Sequence, residues 1–143
     1  MSTKISIVNV KNYDSILDAI EAGIILIAET LPFDIRECKN ILIKPNLLRA
    51  TKDACTQPVF VEAVLKYLKN IGVENDNIRI GDSPGQIKIS ARRIAEKVGL
   101  YKVCEEAGIK FINFEQDIPV HEVIDGAIRL KDYYISKPVK DCD

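Results

Sequence analysis

Two short apolar runs in this chain end in polar residues of the kinds that recognise anions. The first run, residues 41–43, is followed by Lys44 and Asn46, and the second, residues 78–80, is followed by a Gly-Asp-Ser-Pro-Gly corner at residues 81–85. An ammonium group is a good partner for phosphate or carboxylate, and glycine lets main-chain N–H groups come close to a ligand. These residue types therefore suit the recognition of a small anion.

The candidate ligand-binding residues follow these two runs or precede the helical pattern between them. They are Lys44, Asn46, Thr56, Gly81, Asp82, Ser83 and Gly85. Thr56 would offer a hydroxyl beside a helix N-terminus, whose free N–H groups also favour anions. Asp82 would hold a ribose hydroxyl or a divalent ion, which makes Mg²⁺ the candidate cofactor.

Each of these residues also has an ordinary structural explanation. Thr56 can be a helix cap, residues 81–85 a plain turn, and Lys44 a surface lysine. A basic group within residues 88–93 can be a solvated helix face or a set of charges that steers anions. Only the convergence of the candidate residues at one edge of the fold supports a binding site.

The sequence contains no residue pattern of a known catalytic or metal centre. His121 is the single histidine, so no nucleophile is paired with a histidine base and no catalytic residue is assigned. Cys38, Cys55, Cys104 and Cys142 include no C-x-x-C pair, and we predict that they are free thiols. We therefore expect neither a zinc site nor an iron–sulfur cluster within this chain.

The elements that would position the candidate residues alternate between strands and helices. Strands are predicted at residues 4–10, 41–43, 78–80 and 109–114. Apolar residues from Ile16 to Leu31 recur at helical spacing, and Pro32 is expected to end that helix. Thr56 is predicted to cap the second helix, with Pro58 in its first turn.

The third helical pattern is predicted to begin after Ser90, which resembles an N-cap. Gly99 is expected to interrupt this pattern, and Gly108 is expected to end it. The last parallel strand follows directly.

A β-hairpin is predicted after the last of these strands. Residues 120–124 and 127–130 flank Asp125-Gly126, a strong two-residue hairpin signal, and residues 133–135 extend or follow it. The alternation before the hairpin favours parallel strands joined by right-handed crossovers. The predicted class is α/β: a three-layer Rossmann-like sandwich with a mostly parallel sheet and a C-terminal β-hairpin. Ligands of such sheets usually bind at the carboxyl ends of the strands.

The composition is that of an ordinary globular domain. The chain has 143 residues, of which 47% are hydrophobic and 29% charged, and this length suits one domain. The net charge of −1 gives no field that would attract nucleic acid or an anionic membrane. No apolar run approaches the roughly 18 residues of a membrane span, and no signal-peptide core precedes the first strand. A cytoplasmic location is expected.

Three segments together resemble the N-terminal part of the DUF362 family, a domain of unknown function found in bacteria and archaea. They are Ile-Leu-Ile-Lys-Pro-Asn-Leu-Leu at residues 41–48, Thr-Gln-Pro at residues 56–58 and Gly-Asp-Ser-Pro-Gly at residues 81–85. Gln57 stands where family members usually have histidine, which counts against an acid–base or metal role at that position.

The resemblance has implications for domain organisation and partners. The family domain continues past residue 143, so residues 1–143 would form a single α/β domain that is the N-terminal part of a longer DUF362-like domain. Some members are fused to ferredoxin-like modules that bind [4Fe–4S] clusters, and this makes a ferredoxin-like protein a candidate partner.

Three hypotheses about function follow. The first is a domain that binds a small anionic ligand at the carboxyl ends of the second and third predicted strands. The second is a non-catalytic partner module of an iron–sulfur electron-transfer protein. The third is a truncated domain that self-associates into a homo-oligomer through an uncovered sheet edge or apolar face.

Overall fold

The computed structural model describes residues 5–27, 33–85 and 88–143. Its α-helices are α1 (Ile16–Ile25), α2 (Pro58–Asn70), α3 (Ala91–Val98), α4 (Leu100–Ala107) and α5 (Lys137–Lys140). Its strands are β1 (Ile41–Ile43), β2 (Ile78–Asp82), β3 (Phe111–Asn113), β4 (Pro119–Val123) and β5 (Asp132–Ser136). None of the helices within these ranges is both long and apolar enough to cross a membrane.

Strands β1, β2 and β3 form a parallel sheet with β2 in the centre. Ile41 of β1 pairs with Ile78 of β2, and Ile80 of β2 pairs with Phe111 of β3. Parallel neighbours need a crossover connection, which α2 supplies between β1 and β2 and which α3 and α4 supply between β2 and β3. Strands β4 and β5 form a separate antiparallel hairpin. The predicted α/β class, with a parallel sheet and a C-terminal hairpin, is confirmed.

The apolar core lies between the central strand and helices α2, α3 and α4. Ile78 and Ile80 of β2 are buried in one cluster with Leu68 of α2, Ile94 of α3 and Leu100 of α4. Full burial of a side chain of this size contributes about 1.5–3 kcal/mol. Because β2 shares its core with three helices, its carboxyl end is held in place where the polar corner begins.

Alternate residues of the strands face the other side of the sheet. Leu42, Arg79 and Ile112 line a cavity of about 230 Å³ together with Lys137 and Pro138 of α5. Residues of α5 therefore line the same cavity as the face of the sheet opposite the main core.

The predicted ends of α3 and α4 are confirmed. Gly99 separates α3 from α4 with a φ of 91°, and Gly108 follows α4 with a φ of 67°. These are left-handed conformations, which glycine adopts readily and other residues do not. Ser90 caps α3, because its hydroxyl accepts the Arg93 N–H at 3.3 Å.

The prediction that Thr56 caps α2 was wrong. The helix begins at Pro58, as the N1 preference of proline indicated, and Gln57 occupies the N-cap position without a side-chain cap hydrogen bond. The Thr56 hydroxyl instead accepts the main-chain N–H of Asn46 at 2.9 Å. A threonine hydroxyl can accept a hydrogen bond from an N–H in the first turn of a helix or from an N–H in a loop. Here it accepts one from the loop after β1.

The predicted first strand was also wrong for the residues that the structure describes. Residues 5–10 form no strand, although Ser6 and Val8 lie near Gly23 of α1. Ile5 and Ile7 are 82% and 89% exposed. A β-branched pattern becomes a strand only where a second strand pairs with it, and among the described residues β1 pairs only with β2. The predicted continuation of α1 to Leu31 and its end at Pro32 lie outside the described residues.

The hairpin is present, but its second strand starts later than predicted. Gly126 turns the chain with a φ of 74°, as the Asp-Gly signal indicated. The strand that follows is Asp132–Ser136 rather than residues 127–130. The pairing is fixed by contacts such as the stacking of His121 on Tyr134, whose ring centroids are 4.9 Å apart. Residues 124–131 form the connection.

The four cysteines are free, as predicted. Cys104 is on the buried face of α4, and burial raises the pKa of its thiol to about 11. Because the thiolate is the nucleophile, we expect iodoacetamide at pH 8 to modify Cys104 much more slowly than exposed Cys142. Timed peptide mass mapping checks this, with urea-unfolded protein as the control in which the two rates converge. Equal rates in the folded protein would contradict the prediction.

Candidate functional site

The carboxyl ends of β1 and β2 bring a lysine and an aspartate into contact. Lys44 directly follows β1, and Asp82 is the last residue of the neighbouring strand β2. The Nζ of Lys44 lies 2.6 Å from Oδ1 of Asp82. The Lys44 side chain is 53% exposed, whereas that of Asp82 is only 2% exposed. Lys44 is therefore paired with a buried carboxylate, while much of its own side chain stays open to solvent.

Asp82 uses its second carboxylate oxygen to fix the main chain after β1. The Leu47 N–H donates to Oδ2 of Asp82 at 2.7 Å, in a buried hydrogen bond. A buried carboxylate is costly unless its charge is paired and its oxygens accept hydrogen bonds. Both conditions are met here. Asp82 thus ties the loop after β1 to the end of β2.

The loop from residue 46 to residue 55 is closed at its base by a pair of reciprocal hydrogen bonds. The Asn46 N–H donates to the Thr56 hydroxyl at 2.9 Å, and the Thr56 N–H donates to the Asn46 carbonyl at 2.9 Å. Leu47 and Cys55 form an isolated antiparallel bridge just inside this closure. The loop therefore presents its first residues in a defined geometry beside Lys44.

The two glycines of the corner allow close packing within the protein. A Cβ on Gly81 would lie 2.7 Å from the Ile112 carbonyl oxygen and 2.6 Å from the Phe114 ring. A Cβ on Gly85 would lie 2.8 Å from the Leu48 carbonyl oxygen. All three distances are well below normal van der Waals contact. In this structure the glycines let neighbouring main chains approach each other.

Most main-chain donors around the site are engaged within the fold. The N–H groups of Asn46, Leu47, Leu48, Thr56 and Gly85 all donate to atoms of the chain. Exposed side chains remain at the same edge, namely the Lys44 ammonium, the Asn46 amide and the Ser83 hydroxyl. An ammonium group has three donors, so Lys44 can keep Asp82 and still bind a second anion. The polar groups that stay open at this edge are therefore those of side chains rather than main-chain donors.

All seven candidate residues therefore lie at one corner of the sheet, but in different roles. Lys44 and Asp82 are in contact, and Asn46 and Thr56 are bonded to each other. The Gly85 N–H donates to the Leu47 carbonyl at 3.2 Å. Ser83, between Asp82 and Gly85 in the sequence, is exposed.

The basic group after the corner is partly neutralised. Arg92 donates from Nε to Glu96 at 3.0 Å, and its guanidinium lies 4.7 Å from the centre of the Tyr101 ring. The pKa of Arg92 is raised, chiefly by the hydrogen bond to Glu96. Arg93 is exposed on the same helix. A solvated helix face therefore describes these residues better than an anion-steering site.

The N-terminus of α3 is occupied by side chains of the protein itself. The Ala91 N–H donates to Glu115 at 2.8 Å, and the Arg92 N–H donates to Asn113 at 2.7 Å. Ser90 accepts the next N–H. Because these donors already have acceptors, this helix end is closed to an external anion.

Three residues that shape the site region were not predicted from the sequence. The Leu47 N–H, an ordinary main-chain group in an apolar residue, carried no signal in the sequence. Asn113 and Glu115, which cap α3, do carry one: they are polar residues at the carboxyl end of a strand, like Lys44 and Asp82. The polar residues at the carboxyl ends of all three strands, taken together, would have indicated Asn113 and Glu115.

The single histidine lies on a separate element. His121 is on the exposed hairpin, where its Nε2 lies 3.4 Å from Asp132. In the part of the chain that the structure covers, no three His, Cys, Asp or Glu residues are grouped in a way that could hold a metal ion.

Comparison with protein families gives a match whose range includes the whole candidate site. The family profile described as "Domain of unknown function (DUF362)" matches residues 41–143. Comparison with curated proteins found no match, and comparison with solved structures found none. The matched range begins at β1 and includes every candidate residue.

Proposed function

This chain belongs to the DUF362 family, and from that premise we propose that it binds a small anionic ligand at the carboxyl ends of β1 and β2. The ligand carries a phosphate or carboxylate group, and Lys44 contacts that group. The strongest support for this proposal is the Lys44 ammonium, which is half-exposed at the sheet edge and paired with the buried Asp82. Asn46 and Ser83 supply further donors beside it.

The pairing with Asp82 affects how such a ligand would bind. A lysine side chain that is already ordered loses less conformational entropy when it binds a ligand. Asp82 also cancels part of the Lys44 charge. We therefore expect hydrogen bonds to contribute alongside charge, and we expect added salt to weaken binding only in part because the net charge of the lysine–aspartate pair is small.

Direct coordination of Mg²⁺ by Asp82 does not fit this arrangement. Oδ1 is beside the Lys44 ammonium and Oδ2 accepts the Leu47 N–H, so a metal ion would have to displace one of them. In our proposal Asp82 positions Lys44. An Mg²⁺ ion would enter only as the counter-ion of a phosphate ligand.

The test is thermal unfolding of the wild type and of Lys44→Ala with phosphate, nucleotides or small carboxylates, each with and without Mg²⁺. A ligand that binds only the folded state adds about 2.7 kcal/mol at a hundredfold excess over its dissociation constant. For a domain of this size that corresponds to a rise in Tm of roughly 5–10 °C. We expect this rise in the wild type and its loss in Lys44→Ala.

Lys97→Ala is the matched control, because Lys97 is an exposed lysine on α3 outside the corner. Phosphate also stabilises proteins non-specifically, and that contribution should be equal in all three proteins. A rise in Tm of the same size in Lys44→Ala would rule out Lys44 as the anion contact. No rise in the wild type with any compound would count against the proposed ligand class.

The hypothesis of a ferredoxin-like partner stays a prediction, as does a cytoplasmic location. Co-purification of the chain with an iron–sulfur protein under reducing conditions would test the first of these.

A further inference from the structure

The hairpin of β4 and β5 is a two-stranded sheet, and among the described residues no other strand pairs with its outer edges. We infer that β5 pairs edge to edge with β5 of a second copy of this chain. The result is a four-stranded antiparallel sheet across a two-fold axis. This inference is independent of the anion site, because the hairpin contains none of its residues.

The hydrogen bonds of the hairpin show which main-chain groups face outward. The Ile124 N–H donates to the Lys131 carbonyl at 2.8 Å, and these residues lie directly opposite each other in the register of the hairpin. Bonded and non-bonded pairs alternate along an antiparallel ladder. The pair of His121 and Tyr134 is therefore non-bonded, so the N–H and C=O groups of Tyr134 point away from β4.

The two outer edges differ in their ability to accept another strand. On β4 the outward positions include Pro119, which has no N–H and so weakens pairing along that edge. On β5 the outward positions include Asp132 and Tyr134, both with complete donor and acceptor groups. These groups point away from β4, and no main-chain hydrogen bond joins them to another described residue. β5 is therefore the open edge.

A second copy of β5 matches this edge. With Tyr134 on the two-fold axis, the two Tyr134 residues exchange a pair of hydrogen bonds, as in an isologous interface. Asp132 of one copy then lies opposite Ser136 of the other, whose hydroxyl donates to Asp117 of its own chain. Lys131 lies opposite Lys137, whose charge is already paired with Asp141. The register therefore opposes no unpaired like charges.

Apolar exposure on the hairpin also favours a partner. Tyr134 is 70% exposed, and Val123 on the same face of the hairpin is exposed as well. The connection between the strands exposes Ile128 and Leu130. A cluster of exposed apolar side chains on a protruding element is typical of an interaction surface, and strand addition would cover part of it.

The test compares Tyr134→Pro with His121→Pro by light scattering over a range of protein concentrations. Both substitutions remove an outward N–H and the same stacked ring pair, but only Tyr134 is on the β5 edge. We expect the wild type and His121→Pro to reach twice the single-chain mass of 16.0 kDa, and Tyr134→Pro to stay at 16.0 kDa. Tyr134→Lys is the second variant, because an edge lysine blocks pairing without changing the backbone.

Hydrogen exchange gives a measurement that needs no variant. The Tyr134 amide should become protected as the concentration rises, whereas the His121 amide should exchange rapidly throughout. A wild type that stays monomeric at all concentrations would overturn the inference and leave the edge for a different partner. A dimer that persists in both Tyr134→Pro and Tyr134→Lys would also overturn it.

Discussion

Replacing Asp82 by alanine is expected to lower the free energy of unfolding by about 3 kcal/mol. The substitution leaves the buried Leu47 N–H without an acceptor, and an unsatisfied buried donor costs about 1–3 kcal/mol. It also removes the partner of Lys44 and creates a small cavity. Losing the ion pair with Lys44 should lower the free energy of unfolding only modestly, because the ammonium is half-exposed and water can replace the carboxylate. Urea unfolding monitored by circular dichroism measures the change.

Asp82→Asn separates the two contributions. The amide oxygen can still accept the Leu47 N–H while the charge is lost, so we expect only about 1 kcal/mol of destabilisation. Asp125→Ala, at an exposed aspartate of the hairpin connection, is the control and should stay within about 0.5 kcal/mol of the wild type. If Asp82→Ala were as stable as Asp125→Ala, Asp82 would not anchor the loop.

Gly81→Ala is expected to destabilise the protein by about 2–3 kcal/mol, the upper part of the range of about 1–3 kcal/mol found when an extra carbon is forced into a packed interior. The new Cβ would lie 2.7 Å from the carbonyl oxygen of Ile112, which pairs with Gly81 in the sheet. That oxygen belongs to the main chain of β3, so β2 and β3 would have to separate. The midpoint of urea unfolding should fall accordingly.

Gly23→Ala is the matched control for this change. Its Cβ would lie 3.1 Å from the Ser6 hydroxyl, which can rotate away. Alanine is also a better helix former than glycine by about 1 kcal/mol. We expect Gly23→Ala to leave stability unchanged or to raise it slightly. Similar losses at both positions would show that the contact with β3 does not decide the effect at Gly81.

The parts of the fold that the sequence predicted well have local causes. Gly99 and Gly108 end their helices because left-handed backbone needs glycine, and Ser90 caps α3 through an atom three residues away. The parts predicted badly depend on distant partners. Residues 5–10 have strand propensity without a neighbouring strand, and β5 starts where its side chains meet those of β4.

The candidate site shows the same division. Lys44 and Asp82 were recognised as polar residues at strand ends, because every parallel strand delivers its last residue to the same edge. Their direct contact, and the burial of one but not the other, depend on the packing of two strands that are far apart in sequence. The part played by the Leu47 N–H could not be predicted, since every residue except proline carries that group.

The capping of α3 has a consequence for the order of folding. Its first N–H groups find acceptors in Asn113 and Glu115, which arrive only when β3 is in place beside β2. A helix of this length is marginal by itself in water. Helix α3 and the end of β3 should therefore form, and open, as one cooperative unit.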